Sequence, residues 1–362
     1  MRFKELIDLG ELDVSGLAQA NDIHYTTAAP ESRIDDYPAA IRRKLFAFRD
    51  FCQKEHAFPV FTGDVTHVSA VKHPDVSFLL EYFWDFKIRP YLIAGNHDMS
   101  GGNPATLVSR PFWSIRNSRS VMYGKDVMFT ARPSGLKVYI AGSDYDTDME
   151  GDTSGYMVWD SRHAAEADLV VLVCHGMVMP TGKSFVADYV SNESLAACGA
   201  DVLMCGHYHP RVGFPKSLVG LGRKGVPALA NPGAFSRGSV AESDMKRVPA
   251  FGFLRFRDRP IQGSGLAGLV LWEEHDLPHD PADAVFSPTA RRKAGEEGRT
   301  RKFKELVETL KAGTGLAEGS DQEGGEEDFF ISAIMKMDGI PDGITEQAVT
   351  WIREAALDGA TT

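Results

Sequence analysis

The chain has 362 residues, of which 43% are hydrophobic and 25% are charged, and this composition is typical of a globular protein with room for more than one domain. The net charge of −11 argues at first against a nucleic-acid partner, but most of the acidic excess lies after residue 311, so the body of the chain is nearly neutral. The chain contains no apolar run close to the ~20 residues of a membrane helix, and its N-terminus "MRFKELIDLGELD" is charged where a signal peptide is apolar.

The cysteines favour a cytoplasmic protein without disulfides. They lack the spacing of a metal knuckle or a C-x-x-C motif, and Cys174 and Cys205 each end an apolar run. We therefore predict that all four are reduced residues of the core: Cys52, Cys174, Cys198 and Cys205.

Helical segments that alternate with short apolar runs predict an α/β protein. Residues 37–53 form the first helical segment, in which the apolar positions follow helical spacing: Ile41, Leu45, Phe48 and Cys52. The run "FPVF" comes next, and a second helical segment, "DVSFLLEYFWDF", precedes "RPYLIAGN". Further runs that predict strands are "KVYIAG", "DLVVLVCH", "DVLMCGH", "PAFGFLRFRD" and "GLAGLVLWEEH". Because several of these runs are continuously apolar, we predict a sheet that is covered on both faces.

Polar residues follow four of these runs at the point where each run ends. "FPVF" is followed by "TGDVTH", "YLIA" by "GNHD", "VVLVC" by "HG" and "DVLMC" by "GHYH". In an open α/β sheet the carboxyl ends of the strands meet in one crevice, so these side chains should converge. A Gly-Asp turn or a capped helix start would explain one of them alone, but not the whole set. With "NDIHYT" added, the candidate ligands are Asp22, His24, Asp64, Asn96, His97, His175, His207 and His209.

The order D-x-H, G-D, G-N-H-D, H-G and G-H-x-H over residues 18–210 resembles that of the calcineurin-like metallophosphoesterases. The resemblance implies a two-sheet α/β sandwich flanked by helices, with two metal ions between which Asp64 forms a bridge. It implies that the first metal is held by Asp22, His24, Asp64 and His209, and the second by Asp64, Asn96, His175 and His207. It also makes His97 the catalytic histidine, which Asp98 orients. Because side chains alternate along an extended chain, we expect His207 and His209 on one side of it, one for each metal.

The ligand types restrict the metal. Mixed imidazole, carboxylate and amide groups suit Mn, Fe or Zn better than Ca. Two such ions ~3.5 to 4 Å apart can generate a nucleophile from water and hold two oxygens of a phosphoester. We expect Mn, with Fe, Zn or Mg as alternatives.

Two further segments narrow the resemblance to SbcD-type DNA double-strand-break repair nucleases. "NPGAFSRGSVAESDMKRVPAFGFLRF" is similar to the segment that closes their phosphoesterase domain, and "PESRIDDYPAAIRRKL" is similar to phage-encoded members. His67 matches their second active-site histidine, which positions the DNA phosphate, although a structural role for His67 stays open. Arg237 is predicted to bind substrate. Residues 1–17 have no counterpart in a typical member.

The chain divides into four predicted parts. Residues 1–240 form the nuclease domain, and residues 241–311 form an accessory or capping region that contains strands. Residues 312–328 are rich in Gly and acidic residues and are predicted to be a disordered linker. Residues 329–362 form a helical tail. The basic stretch "TARRKAGEEGRTRKFKELVETL" is either a DNA-contacting or a solvated helix.

The helical tail is predicted to bind a partner. Each of two short helices carries one apolar stripe: Phe329, Phe330, Ile334 and Met337 on the first, and Val349, Ile352 and Ala356 on the second. A segment of this size cannot bury a core of its own, so its stripes must dock on something. The resemblance implies an SbcC-like coiled-coil ATPase as the partner.

The sequence thus predicts a metal-dependent DNA nuclease, a 3′ to 5′ exonuclease with endonuclease activity, that acts as the nuclease subunit of an SbcCD-like complex. Its partners would be DNA and the ATPase, with a homodimer left open and no membrane. Two alternatives remain. One is a phosphodiesterase or phosphatase for nucleotides or phosphoproteins, and the other is a metal-bound scaffold without catalysis.

Overall fold

The computed structural model of the protein describes most of residues 5–293, together with residue 349. Within the first range the description omits residues 150, 158–160, 181–188, 219–220, 223–224, 239–240, 260 and 262–264. The predicted acidic linker, the helical tail apart from Val349, and most of the basic stretch therefore lie outside the described residues. No helix in the described part is long and apolar enough to cross a membrane.

The chain forms two compact units. The first contains residues 1–239 and 243–287, and the second contains residues 240–242 and 288–362. Few residues of the second unit are described, so the elements below belong almost entirely to the first.

The strands of the described residues, in chain order, are β1 (Leu6–Leu12), β2 (Gly16–Ala20), β3 (Ala57–Phe61), β4 (Tyr91–Leu92), β5 (Met122–Tyr123), β6 (Asp126–Ala131), β7 (Leu136–Ser143), β8 (Leu169–Gly176), β9 (Val178–Met179), β10 (Val190–Ser191), β11 (Val202–His207), β12 (Ala228–Ala230), β13 (Ala250–Phe256) and β14 (Val270–Asp276). The α-helices are α1 (Tyr37–Lys54), α2 (His73–Trp84), α3 (Phe112–Arg116), α4 (Ser161–Glu166), α5 (Glu242–Lys246) and α6 (Ala282–Val285).

Two sheets of six strands each form the body. The first has the order β1-β6-β7-β8-β11-β12 and the second the order β14-β13-β2-β3-β4-β5. The neighbours from β7 to β12 in the first sheet and from β2 to β5 in the second are parallel. The predicted two-sheet α/β sandwich is therefore confirmed.

The apolar runs are continuous because these strands are buried on both faces. In β8, Val171 and Val173 pack into the core between the sheets, whereas Leu172 and Cys174 pack on the opposite face. The core between the sheets also contains Phe58 of β3, from the second sheet. Burial on both faces removes the polar alternation of a half-exposed strand.

Helix α1 covers the outer face of the second sheet. The Asp36 carboxylate caps its N-terminus by accepting a 3.0 Å hydrogen bond from the Ala39 N–H. The predicted apolar positions of this helix are all buried against the sheet: Ile41, Leu45, Phe48 and Cys52. The predicted helix is confirmed.

Two segments extend the sheets, namely residues 6–12 and the strands predicted at "PAFGFLRFRD" and "GLAGLVLWEEH". Residues 6–12, for which no counterpart was expected, form β1 and pair in parallel with β6 at the edge of the first sheet. Strand β13 pairs antiparallel with β2, and β14 pairs with β13, so both complete the second sheet. Strands β13 and β14 thus pair in the same sheet as β2, and the expected domain boundary at residue 240 stays a prediction.

Candidate metal centre

The candidate site lies where parallel strands of both sheets end. The second sheet contributes residues that follow β2, β3 and β4: Asp22, His24, Asp64 and Asn96. The first sheet contributes His175 near the end of β8, and His207 and His209 at and beyond the end of β11. The site is therefore assembled from both halves of the sandwich.

The first group of ligand atoms belongs to Asp22, His24 and His209. One side-chain donor atom from each lies within 4.8 Å of the others. The Nε2 atoms of His24 and His209 are 3.1 Å apart. Asp22 and His24 are buried, so their electron-pair donors face each other inside the protein.

The second group contains Asp64, His175 and His207, again with donor atoms within 4.8 Å of one another. Asn96 completes this group, because its Oδ1 lies 3.0 Å from His207 Nδ1 and 3.1 Å from His175 Nε2. The group thus offers carboxylate, imidazole and amide oxygen, the mixture expected of a transition-metal site.

Asp64 lies between the two groups. Its Oδ2 is 3.6 Å from His24 Nε2 in the first group and 3.4 Å from His175 Nε2 in the second. Its Oδ1 accepts a 2.8 Å hydrogen bond from the His97 N–H, which fixes the carboxylate plane. One carboxylate oxygen therefore faces both groups, which is the arrangement that a bridging ligand needs.

The backbone of the site is strained. Four candidate ligands have a positive φ, namely Asp22 (49°), His24 (50°), Asp64 (48°) and His207 (84°). Such conformations cost about 1–3 kcal/mol each and persist where the surrounding structure imposes them. His207 and His209 of "GHYH" do belong to different groups. The cause is not the expected alternation of side chains along a strand, because His207 at the end of β11 has a left-handed backbone conformation and the strand geometry ends there.

Glycines make room for the ligands. A Cβ on Gly63 would lie 2.6 Å from His175 Nδ1, and one on Gly206 would lie 3.0 Å from the same atom. Gly206 pairs with His175 across neighbouring strands. The glycines of "GD" and "GH" therefore permit the close approach of the two sheets at this end.

A layer of buried polar groups supports the ligands. His175 Nδ1 donates to the Thr62 carbonyl at 2.7 Å, which leaves Nε2 free for the second group. The Asn21 amide joins the sheets, since its Nδ2 donates to the Cys205 carbonyl at 2.8 Å and its Oδ1 accepts from Thr62 Oγ1 at 2.6 Å. Asn231 extends this network, with its Nδ2 donating to the Tyr208 carbonyl at 2.9 Å.

His97 lies beside the first group. Its ring centroid is 4.6 Å from that of His24 and 6.0 Å from that of His67. His97 Nδ1 donates to the His67 carbonyl at 2.7 Å, so its Nε2 is available to a substrate. His67 is partly exposed, and its Nδ1 has no hydrogen-bond partner among the described residues. The structure thus places both predicted catalytic histidines beside the candidate metal ligands.

Asp98 contacts backbone groups of the two neighbouring loops. Its Oδ1 accepts from the Thr66 N–H and hydroxyl, both at 2.8 Å, and its Oδ2 accepts from the Gly95 N–H at 2.9 Å. Burial and the nearby Asp64 carboxylate raise the Asp98 pKa to about 7. The His97 ring, in contrast, is oriented by the His67 carbonyl. A role of Asp98 in orienting His97 stays a prediction, and the observed contacts would transmit it through the loop backbone.

Arg237 is buried, with 3% of its surface exposed. Its guanidinium donates to the backbone carbonyls of Met245, at 3.3 Å, and Asp280. Its predicted role in substrate binding stays a prediction, and these contacts hold the guanidinium within the protein.

Burial and mutual charge set the protonation of the ligands. Burial lowers the pKa of His24 well below its ordinary value, and burial with nearby His175 lowers the pKa of His207 to about 3. Burial also acts to lower the pKa of His175, but the adjacent Asp64 carboxylate outweighs it and raises that pKa to about 10. Burial raises the pKa of Asp22. Burial also acts to raise the pKa of Asp64, but the nearby His175 and His24 outweigh this effect and hold the Asp64 pKa well below its usual range. Divalent cations would stabilise these carboxylates and neutral imidazoles together, so the donors fit a dinuclear centre.

The sequence interpretation missed several residues of the site. Tyr145 follows β7, and its ring centroid lies 5.6 Å from that of His207 and 6.0 Å from that of His175. The sequence contained a signal for Tyr145, because "KVYIAG" is followed by "SDYD", just as the other apolar runs are followed by polar residues. Asn21 and Asn231 were also missed, although Asn21 directly precedes Asp22.

Comparison with known proteins places this site in a family. The calcineurin-like phosphoesterase family matches residues 17–211. No curated protein matches the chain in sequence. The crystal structure of TT1561 of Thermus thermophilus is similar, with a TM-score of 0.43 and 11% sequence identity over 73% of this chain and 100% of that chain. The family match spans more than half of the sequence and contains every candidate ligand, and the chain therefore belongs to the calcineurin-like phosphoesterases, a family of metal-dependent phosphoester hydrolases.

Proposed function

We propose that the protein is a metal-dependent DNA nuclease, a 3′ to 5′ exonuclease with endonuclease activity, and the nuclease subunit of an SbcCD-like complex. The observation that carries the hydrolytic part is the position of Asp64 Oδ2 between two ligand groups, with His97 beside the first. The DNA part rests on the resemblance of the "NPGAFSRG" segment and of His67 to SbcD-type nucleases.

The protein residues would bind and orient the phosphoester. Two bound divalent ions would activate water and polarise the phosphate, and Mn is the ion that we propose, with Fe, Zn or Mg as alternatives. His97 presents Nε2 because its Nδ1–H is engaged by the His67 carbonyl, so in the imidazolium form it would donate a hydrogen bond or a proton from Nε2 to the leaving oxygen. The partly exposed His67 ring, stacked 6.0 Å from His97, would hold the neighbouring DNA phosphate.

A parallel assay tests this proposal. Purified protein with Mn is offered 5′-labelled linear duplex, single-stranded DNA and bis(p-nitrophenyl) phosphate. A ladder of shortened duplex products, absent for Asp64→Ala, is the expected result. Hydrolysis of the generic diester without attack on DNA would favour a phosphodiesterase or phosphatase for small or protein substrates. Bound metal without any hydrolysis would favour the inactive scaffold.

We also propose that residues 329–362 bind an SbcC-like ATPase. The apolar stripes that the sequence predicts for this segment would need a partner surface, and the predicted acidic linker before it would give a reach of roughly 20 to 25 Å as a Gly-rich coil. Deleting residues 329–362 should leave hydrolysis of simple phosphodiesters intact and remove ATP-stimulated cleavage of duplex ends. A pull-down in which the truncated chain retains the ATPase at full affinity would show that the tail serves the chain itself.

A further inference from the structure

Residues 234–237, here called the support segment, lie beneath the first ligand group. The Ala234 N–H donates to the His209 carbonyl at 3.0 Å, the Phe235 N–H to the Asn21 carbonyl at 2.8 Å, and the Ser236 N–H to the Asp22 carbonyl at 3.3 Å. The support segment therefore holds the backbone of two of the three ligands in the first group.

Buried cations bind the carbonyl groups of the support segment. Lys44 of α1 donates from Nζ to the Phe235 carbonyl at 2.7 Å. Arg247 donates to the carbonyls of Ala234 and Ser236, and Arg33 donates to the carbonyl of Arg237. All four carbonyls of the support segment are thus bound by cationic side chains.

These cations are costly to bury. Lys44 is 2% exposed, and burial followed by the nearby Arg237 and Arg33 lowers its pKa well below the ordinary value. Arg247 is paired with the buried Asp244. Apolar side chains could fill this volume at lower cost, but they could not bond to carbonyl groups. The arrangement therefore gives the support segment a fixed orientation.

The first ligand group depends on this backbone support more than the second does. In the second group, His175 is oriented directly by its Nδ1 contact with the Thr62 carbonyl. In the first group, His24 Nδ1 has no hydrogen-bond partner among the described residues. The Asp22 carboxylate accepts a hydrogen bond from the His207 N–H at 3.0 Å, and the backbone carbonyls of Asp22 and His209 accept from the support segment.

We propose that Lys44 and Arg247 are positioning residues for the first metal site, acting through the support segment. The proposal rests on the metal centre of the proposed function, but not on the identity of its substrate. Removing either cation releases carbonyls of the support segment, so Asp22 and His209 should lose their common geometry, while in the second group the contact of His175 with the Thr62 carbonyl does not involve the segment.

Mn titration by calorimetry, with Mn anomalous diffraction to identify the occupied site, tests this inference on the full chain. Lys44→Met should raise the dissociation constant at the first site about 10-fold or more and leave the second site unchanged. Lys54→Met is the matched control, because Lys54 lies on the same helix with its side chain 81% exposed. Asn96→Ala should give the reverse pattern, with loss at the second site.

Arg247→Lys provides a second test if Lys44→Met fails to fold, since it keeps the charge but not the two-pronged contact. Equal weakening at both sites, or wild-type affinity in both variants, would overturn the positioning role. A wild-type chain that binds no Mn would instead refute the metal centre itself, so the two failures are distinguishable.

Discussion

Gly95 lies between Asp64 and His175, two of the candidate metal ligands, and Gly95→Ala should weaken metal binding. A Cβ at this position would lie 2.7 Å from His175 Cε1 and closer still to Asp64 Oδ1 and the Asp64 N–H nitrogen. Ordinary carbon contacts are about 3.5–4.0 Å, so Asp64, His175 or the loop must move. Gly95 has a φ of −98°, so an alanine is acceptable to the backbone itself and the lack of space is the decisive effect.

Overpacking of this kind costs about 1–3 kcal/mol, which corresponds to a loss of about 5- to 150-fold in affinity if the metal-bound state bears the strain. Because Asp64 faces both groups, both Mn ions should bind more weakly in a calorimetric titration. Gly238→Ala is the control, since the nearest atom to its new Cβ would be Pro30 Cγ at 3.8 Å. Wild-type affinity for both ions in Gly95→Ala would refute the packing argument.

Three other predictions follow from the site and the core. His97→Ala should lower turnover by about 10²- to 10⁴-fold while two metals stay bound, whereas Asp64→Ala should lose metal as well; metal analysis that finds both variants equally depleted would contradict these roles. Excess chelator should abolish DNA hydrolysis and Mn should restore it, so full activity in the chelator would exclude metal catalysis. Phe58→Ala should lower the free energy of unfolding by about 3–5 kcal/mol, because Phe58 is fully buried and its ring stacks on that of Phe129, with a centroid distance of 5.2 Å, between the sheets. Phe46→Ala is the control, since Phe46 is 38% exposed. A urea midpoint of Phe58→Ala no lower than that of the control would argue against this prediction.

Local sequence patterns were sufficient for the parts of the fold that bury continuous apolar faces. The helical spacing of Ile41, Leu45 and Phe48 identified α1, and the apolar runs identified β8 and β11. Strand β1 was missed because it is an edge strand with only intermediate or exposed residues, and its partner β6 lies more than a hundred residues away. A short segment of this kind has no local signal that distinguishes it from a loop.

The residue types of the candidate site were visible in the sequence at the strand ends, but the contacts that hold these residues in place were not. Asn21 meets Asn231 across 210 positions of sequence, and no local pattern links two asparagines at that distance. The positive φ of His207 is likewise a product of its environment, because the contacts with Asn96 and Asp22 fix it from another sheet. Roles that depend on such contacts can be read only from the folded chain.

The distribution of the ligands over both sheets couples metal binding to folding. His24 and His209 are separated by 185 positions, and Asp64 and His175 lie on opposite halves of the sandwich, so an unfolded chain has no site to offer. By mass action, an ion present at about a thousand times its dissociation constant would then stabilise the native state by about 4 kcal/mol. Part of the lifetime of this protein against proteolysis would accordingly be set by the supply of divalent metal in its surroundings.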